Sequence, residues 1–499
     1  MIKHAAISAH AAAKPAATAL LDLTTGRRLT WADYANLVAA AATGLSAALG
    51  DGPAPARAAF LAENRWEVPV VLGAAATLGL PMIGVDDSLP AEHVAACLLQ
   101  VRPSVLVVSP ARAGLARQAL DLLDQLTTIP VVILLDPLGD NGDGDFPGAR
   151  TWAEFTARTD SDTWRPLPFE GLGFTSGTTG APKLVLRSRS FEARRHVDVT
   201  DFFAITADDV YLNTVPLYHA SGPGWARLFA THGATVVIAA DPSSAARALT
   251  TEGVTASLMV PPTLSAVLDH LDSRPPALRW VVTGGRHVSP DLVARTTAAM
   301  GEVLHVYYGT TETGLNTLTT AGELAAHPGT AGKPLPGNEI LILDEDGTPV
   351  PAGVVGRVAI AGYMLADTYA TAPAPLVHVD GKTAWLTADS GRLDLDGRVH
   401  LTARDIPAQA RQVDAIGLEA HLKAALPATD VVVLVDTRAV IAYTTTTDLA
   451  PGDVLAAATA HTGALDTEAH LVPAIPYSPT GKVRVAALKA LLPRTAATL

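Results

Sequence analysis

Short runs of consecutive apolar residues recur along the chain. Val105-Leu106-Val107-Val108, Val131 to Leu135, Thr235 to Ile238 and Trp280-Val281-Val282 are each bounded by Gly, Pro or charged residues. A strand that is apolar on both faces must be covered on both faces. These runs therefore predict the buried strands of an α/β sheet, with the Ala/Leu-rich stretches between them as helices. The most membrane-like run, Val68 to Val85, is interrupted by Pro69, Pro81 and several glycines, and Asp86-Asp87 follow at once. It reads as a helix turning into a buried strand, not a bilayer span. Asp136 to Arg150, rich in Gly, Asp and Pro, reads as a surface loop.

The texture changes from about Ile340. Ile340-Leu341-Ile342-Leu343 runs into Asp344-Glu345-Asp346-Gly347, a turn signal, then Val354 to Gly362 alternates as a strand, and Asp394 to Arg398 marks another turn. This is the pattern of a small β-rich subdomain. Beyond Arg404, a helix (Leu418 to Leu426), a strand (Val431 to Val435) and a last helix (Val485 to Leu492) make an α+β unit of roughly 100 residues, large enough to fold separately.

Composition narrows the functional classes. The 499 residues carry 36 Lys+Arg against 49 Asp+Glu, a formal net charge of −13. That excludes a general nucleic-acid binder, which needs cations to displace phosphate counterions, but leaves room for one nucleotide pocket with a few donors. With 48% apolar and 17% charged residues the chain is globular, and with only 5% aromatics Ala, Val and Leu must supply much of the burial. The single cysteine, Cys97, rules out an intramolecular disulfide or a multi-thiolate metal site. Its neighbours Val94 to Leu99 read as an apolar helix face, so packing accounts for it better than nucleophilic catalysis. Met1 to Pro15 lacks the continuous apolar segment of a signal peptide, so we expect a soluble, cytoplasmic protein.

The sharpest local feature is Phe174-Thr175-Ser176-Gly177-Thr178-Thr179-Gly180-Ala181-Pro182-Lys183. Backbone N–H groups, hydroxyls and a lysine in one loop would cradle phosphates, and a Gly/Thr-rich surface turn would use the same residues. It is not a Walker A loop, because Lys183 follows Pro182 and precedes Leu184, and it is not a nucleophile elbow, because the serine comes one place too late.

This segment resembles the phosphate-binding signature of the adenylate-forming ANL superfamily, which includes acyl-CoA synthetases, peptide-synthetase adenylation domains and luciferases. Further segments are similar to that family's motifs, in its order. They are Arg28 to Tyr34, Pro216 to Gly222 (the acyl-pocket segment), Tyr307 to Gly314 (the central nucleotide motif), Thr387-Ala388-Asp389 with Gly391 (the ribose motif) and Pro476 to Lys482 (the catalytic-lysine loop).

The resemblance implies an α/β fold: a large N-terminal domain of layered sheets with helices plus the β-rich subdomain, residues 1–403, and a small mobile α+β cap, residues 404–499. It implies nucleotide contacts from Thr175, Ser176, Gly177, Thr178, Thr179, Gly180, Lys183, Gly285, Arg286, Tyr308, Gly309, Thr310, Thr311, Asp389 and Arg404. The aromatic face of Tyr308 suits an adenine, and the Asp389 carboxylate suits two ribose hydroxyls. Thr175 and Glu312 offer hard oxygens to Mg²⁺. His219, Trp225, Gly284 and Tyr307 are implied at the acid pocket. Lys482, His219 and Glu312 are the implied catalytic residues, Lys482 bridging carboxylate and phosphate as charge crowds together.

Several positions depart from the family pattern. Leu184 stands where glycine is usual, and its branched side chain is expected to narrow backbone approach to the phosphates. Arg286-His287 follow Gly284-Gly285, where a small or acidic residue is usual. The hinge segment Thr402-Ala403-Arg404-Asp405 has Ala403 for Gly, and Ile406 to Gly417 offers Gln409, Arg411 and Gln412 in place of a glycine pair. The expected activity is an acyl-CoA ligase using ATP (released as AMP and pyrophosphate), Mg²⁺, a small carboxylic acid and coenzyme A. The alternatives are a ligase limited to thioesterification of an acyl-adenylate made by a partner enzyme, a stand-alone adenylating enzyme loading a carrier protein, and a non-catalytic nucleotide- or acyl-binding protein.

Overall fold

The computed structural model describes residues 2–50, 56–123, 130–136, 146, 148–175, 182–404, 406–408, 411, 413–436, 438–462, 466–478 and 481–493. The four apolar runs fold as the strands Val105–Val108, Val131–Leu134, Thr235–Ile238 and Trp280–Gly284. Each lies inside a parallel ladder with both faces covered, which is why polar residues do not alternate along it. Val68 to Val85 resolves as expected into the helix Glu67–Leu78 and the strand Met82–Gly84. Most of the loop expected at Asp136 to Arg150 lies outside the described residues, and its end joins the edge strand Arg150–Thr151.

Among the described residues the strands form five sheets. A nine-stranded sheet has parallel strands at its centre and antiparallel strands at both ends, in the spatial order Lys333–Pro334, Gly314–Leu318, Leu304–Thr310, Trp280–Gly284, Ala256–Leu258, Val210–Asn213, Thr235–Ile238, Thr18–Asp22, Arg28–Thr30. A second, wholly parallel sheet runs Met82–Gly84, Ala58–Leu61, Val105–Val108, Val131–Leu134, Arg150–Thr151. Between them, the helices Trp31–Leu49 and Glu67–Leu78 contribute Trp31, Tyr34, Val38 and Leu45, with Val70, Val71 and Leu78, to one continuous core. The first helix starts at Thr30, whose hydroxyl accepts from the Asp33 N–H (3.1 Å) while the Asp33 carboxylate accepts from the Thr30 N–H (3.0 Å). This reciprocal cap explains the Leu29-Thr30-Trp31-Ala32-Asp33 pattern.

The β-rich subdomain is antiparallel: Asn338–Leu343 pairs with Gly356–Gly362, which pairs with Lys382–Leu393, itself flanked by Leu376–Val379 and Val399–Arg404. A three-stranded sheet of Gly171–Phe174, Leu184–Arg187 and Thr368–Tyr369 lies where the phosphate-type loop begins and ends. Leu184 corrects an expectation here. Its side chain is fully buried in the core around Val94, Leu106 and Val132, and its N–H donates to Gln100 Oε1 (2.9 Å), so the branched side chain packs inward as a strand residue.

The described residues between 403 and 492 gather around their own sheet, Ala428–Val435, Ala439–Thr445 and Thr467–Leu471. Val431, Val433 and Val435 pack on one face against the helices Ala415–Ala425 and Pro451–Thr462, and Val432 packs on the other with Leu488 of the helix Val485–Leu491. Cover on both faces accounts for the unbroken apolar run read from the sequence. Among the described residues no helix is long and apolar enough to cross a membrane.

One close approach matters for the site. A Cβ added to Gly84 would sit 2.3 Å from Tyr218 Cα, at the base of the segment that presents His219. Gly84→Ala is therefore expected to destabilise by about 1–3 kcal/mol through overpacking. It should lower the thermal midpoint, and an unchanged midpoint would contradict the contact.

Candidate functional site

The parallel ladder ends at Leu304–Thr310, and the residues leaving its C-terminal edge open into a cavity of about 1170 Å³. Tyr307 to Glu312, Thr175, Gly285, Arg286, Asp389 and Arg404 line it from the large side, and Tyr477 and Lys482 from the unit beyond residue 403. The rim of an open α/β sheet is where ligands usually bind.

Two side chains pin Asp389. In the antiparallel ladder it stands directly opposite Arg404, whose Nη1 donates to Oδ1 (2.8 Å), and the Tyr308 hydroxyl donates to Oδ2 (2.7 Å). Burial, reinforced by the Asp389 charge, pushes the Tyr308 hydroxyl well above its ordinary value, so it remains a donor. Tyr308 also packs on Ile340, Val358 and Val399, tying the central motif to the β-rich subdomain.

The three-stranded sheet clamps the next residues. Arg187, buried and pulled down to about 10 chiefly by burial, donates through Nη2 to the Thr311 carbonyl and to the Met364 carbonyl (3.4 Å). The Tyr369 hydroxyl donates to Glu312 Oε1 (2.9 Å), and Lys183 Nζ lies 5.5 Å from the centroid of the same ring. Thr311 Oγ1 donates to the Phe174 carbonyl (3.2 Å). Thr175 and Lys183 hold each other: each backbone N–H donates to the other residue, to the Lys183 carbonyl and to Thr175 Oγ1, both at 3.0 Å. The intervening Ser176, Gly177, Thr178, Thr179 and Gly180 lie outside the described residues.

His219 sits at the start of the helix Ser221–Thr231, its Nδ1 2.8 Å from Ser221 Oγ and 3.4 Å from the Ser221 amide. An amide N–H can only donate, so Nδ1 is the acceptor and Nε2 carries the proton of the neutral ring. Burial, then the Lys482 charge, pulls His219 down to about 3, which keeps it neutral near pH 7. Trp225 is buried with Phe203 and Trp280 (5.8 Å between the Trp225 and Trp280 rings), so it is locked in the core. Gly284 and Tyr307 face each other across adjacent strands.

Lys482 brings the set together. Burial draws its ammonium down to about 8, the Arg404 charge adds to that, and Glu312 and Asp389 oppose it. Residues separated by up to about half the chain thus share one field. Arg286 lines the cleft and also lies against Tyr477 of the small unit, Nη2 to hydroxyl 2.9 Å. Arg187, Tyr369 and Tyr477 were missed in the sequence. A cation ending an apolar strand was a signal for Arg187; Tyr369 offered none, because its strand spans only two residues.

Thr175 and Glu312 both line the cleft and offer hard oxygens of the type Mg²⁺ takes. Among the described residues no three His, Cys, Asp or Glu side chains cluster as a metal cage. An ion held by one carboxylate and one hydroxyl takes its remaining ligands from phosphate and water, as Mg²⁺ does in nucleotide sites.

The family model of AMP-binding enzymes matches residues 7–370. The chain is 26% identical over 375 residues to the medium/long-chain-fatty-acid–CoA ligase FadD8 of Mycobacterium tuberculosis, covering 72% of this chain and 64% of that protein's length. It is 30% identical over 443 residues to the 4-coumarate–CoA ligase-like 4 protein of Oryza sativa, covering 83% and 78%. The solved structure of the amide bond synthetase McbA from Marinactinospora thermotolerans superposes with a TM-score of 0.78, covering 96% of this chain and 97% of that one at 24% identity, which establishes the layered α/β fold.

A depressed lysine is directly measurable. At pH 8 an ordinary lysine, with a pKa near ~10.4, is well under ~1% neutral, whereas Lys482 should be about half neutral. Competitive amine labelling followed by mass spectrometry should show Lys482 reactivity rising through about pH 8, and an inflection above pH 10 would contradict the described surroundings.

Proposed function

The chain belongs to the AMP-binding enzyme family, and from that membership we propose that it is an AMP-forming acid–thiol ligase, with residues 1–403 binding ATP and a carboxylic acid and residues 404–499 carrying Lys482 over them. The observation that carries this reading is the convergence of Lys482, Asp389, Glu312 and Arg404 on one cleft, with His219 near enough to feel the Lys482 charge. In the first step a carboxylate oxygen attacks the α-phosphorus of ATP and pyrophosphate leaves, giving an acyl-adenylate. In the second, the sulfur of coenzyme A attacks the acyl carbon and AMP leaves. Activation is needed because a free carboxylate lacks a leaving group, and AMP supplies one.

Each residue has a task that follows from its surroundings. The Lys482 ammonium offsets the crowding of negative carboxylate and phosphate, an attraction strengthened where water is scarce. Asp389 exchanges its contacts with Tyr308 and Arg404 for ribose hydroxyls, and the Tyr308 ring offers a face to adenine. Glu312, oriented by Tyr369, and Thr175 would hold Mg²⁺, which when bound neutralises phosphate charge. His219, neutral with Nε2 protonated, offers a hydrogen bond at the acid pocket and no acid–base step. CoA as acceptor is supported by the names of the two relatives, both CoA ligases or ligase-like. A ligase limited to acyl transfer is disfavoured, because Lys482 faces the nucleotide motif and the Leu184 side chain packs into the core. The assignment extends to the cytoplasm, where ATP and CoA occur together and the buried Cys97 thiol stays reduced.

With the correct acid, the enzyme should release pyrophosphate and form an acyl-CoA. Lys482→Ala should lower the adenylation step about 10²–10³-fold while leaving transfer from a supplied acyl-adenylate within a few-fold. The rate of adenylation at low ATP should fall as pH rises through about 8, because the cation is lost there, and this limb should be missing in Lys482→Ala. Equal loss of both steps in that variant would contradict the role given to Lys482.

A further inference from the structure

The loop that bears Lys482 is a tight hairpin. Tyr477 and Val483 pair as an antiparallel bridge, the Ser478 N–H donates to the Lys482 carbonyl (2.8 Å), the Lys482 N–H to Ser478 Oγ (3.1 Å), and the Arg484 N–H to the Pro476 carbonyl (2.8 Å). Residues so cross-tied move as one body, so whatever fixes Tyr477 fixes Lys482. What fixes Tyr477 is Arg286, on the large domain's side of the cleft. The Arg286 guanidinium carbon lies 4.1 Å from the Tyr477 ring centroid, and Nη2 donates to the hydroxyl at 2.9 Å. That hydroxyl in turn donates to the Asp430 carboxylate, which also takes the Lys423 ammonium (2.5 Å) and the Val431 N–H (2.9 Å).

The chain of bonds therefore runs from the large domain through the lysine hairpin into the strand Ala428–Val435 and the helix Ala415–Ala425. Two further contacts bracket it. Gly481, at φ +78°, lets the hairpin rest on Pro262, where an added Cβ would lie 3.0 Å from Cδ, and Arg484 donates to Ser88 Oγ (2.7 Å). The neighbouring titratable groups are His287, pulled down to about 4 chiefly by burial, and Glu419, pushed up to about 7 by burial against the pull of the Val433 N–H and of Arg286 and Lys423. None of these contacts requires a nucleotide, and Arg286 spends its planar face and a donor on a protein ring.

The geometry points to Arg286 and Tyr477 as a positioning pair: by stacking across the domain boundary they seat the lysine hairpin, and so set where Lys482 stands during adenylation. Arg286 acts through Tyr477 and is not a nucleotide ligand. This rests on the ligase reading above, in which Lys482 serves the adenylation step. It further implies that the acyl-transfer step, which does not use Lys482, is insensitive to the pair.

The test uses the full-length enzyme with Arg286→Ala, Tyr477→Phe and the double variant. Arg286→Ala should lower the maximal adenylation rate about 10- to 100-fold, the scale expected when a reacting group is displaced by about an ångström. Tyr477→Phe keeps the stacked face and loses the hydroxyl, so its effect should be smaller. The double variant should be no worse than Arg286→Ala, because both remove one linkage. In each, the KM for ATP should stay within about twofold and transfer from a supplied acyl-adenylate should be unchanged. The alkaline limb near pH 8 should also move upward, since a loosened hairpin returns Lys482 to water while Arg404, Glu312, Asp389 and His219 stay in place.

A readout independent of turnover is backbone amide exchange across residues 477–484, expected to be faster in Arg286→Ala. Unchanged exchange in that variant overturns the positioning role even if the acid substrate is never found. Loss confined to a raised KM for ATP also overturns it, by making Arg286 a nucleotide contact. Absence of pyrophosphate release by wild type with every acid, alongside the expected exchange difference, counts against the ligase reading and leaves the seated hairpin standing.

Discussion

An ammonium held in a cleft beside a guanidinium is an unfavourable arrangement unless carboxylates stand opposite, and that constraint governs this structure. Lys482 is desolvated and repelled by Arg404, and what holds it in charge is the pair Glu312 and Asp389. Those carboxylates cannot wander. Asp389 is opposite Arg404 by strand register and bonded to Tyr308, and Glu312 is bonded to Tyr369. A group of fixed charges aimed at the place where new negative charge gathers needs no rearrangement at the moment of reaction, which is the basis of electrostatic catalysis. With substrate phosphates in the cleft the balance changes sign, and the repelled cation becomes the matched one.

The supporting architecture follows from what each carboxylate requires. The nine-stranded sheet delivers Tyr307 to Thr310 at its rim. The small sheet of Gly171–Phe174, Leu184–Arg187 and Thr368–Tyr369 orients the residues that follow, through Arg187 on the Thr311 carbonyl and Tyr369 on Glu312. The same sheet carries both ends of the phosphate-type loop, so those ends and Glu312 are held by one element. The β-rich subdomain holds Asp389 and Arg404, and the unit beyond residue 403 holds Lys482.

Much of this was legible in the residues because local patterns report local physics. Continuous apolar runs marked strands covered on both faces, and the motif segments placed Asp389, Glu312 and Lys482 in one site. What stayed hidden depended on pairing between distant segments. Tyr369 meets Glu312 only because a two-residue strand joins Leu184–Arg187, and no periodicity can be read from two residues. In the small unit, the strand Ala439–Thr445 escaped notice although its Val440, Ile441 and Tyr443 are buried, because the run holds threonines and an aspartate-rich turn region beside it. Leu184 was read as an obstruction because sequence alone does not say which face of a strand a side chain takes, and a one-residue change of face reverses the conclusion.

The central claim is that the acid's own oxygen attacks the α-phosphorus in the field of Lys482. It is tested most directly by following a carboxylate labelled with ¹⁸O through a single turnover. If the carboxylate attacks and AMP later departs from the acyl carbon, the AMP must carry one labelled oxygen and the pyrophosphate none. Label that stays wholly in the acid and acyl product, or that appears in pyrophosphate or inorganic phosphate, would contradict the account.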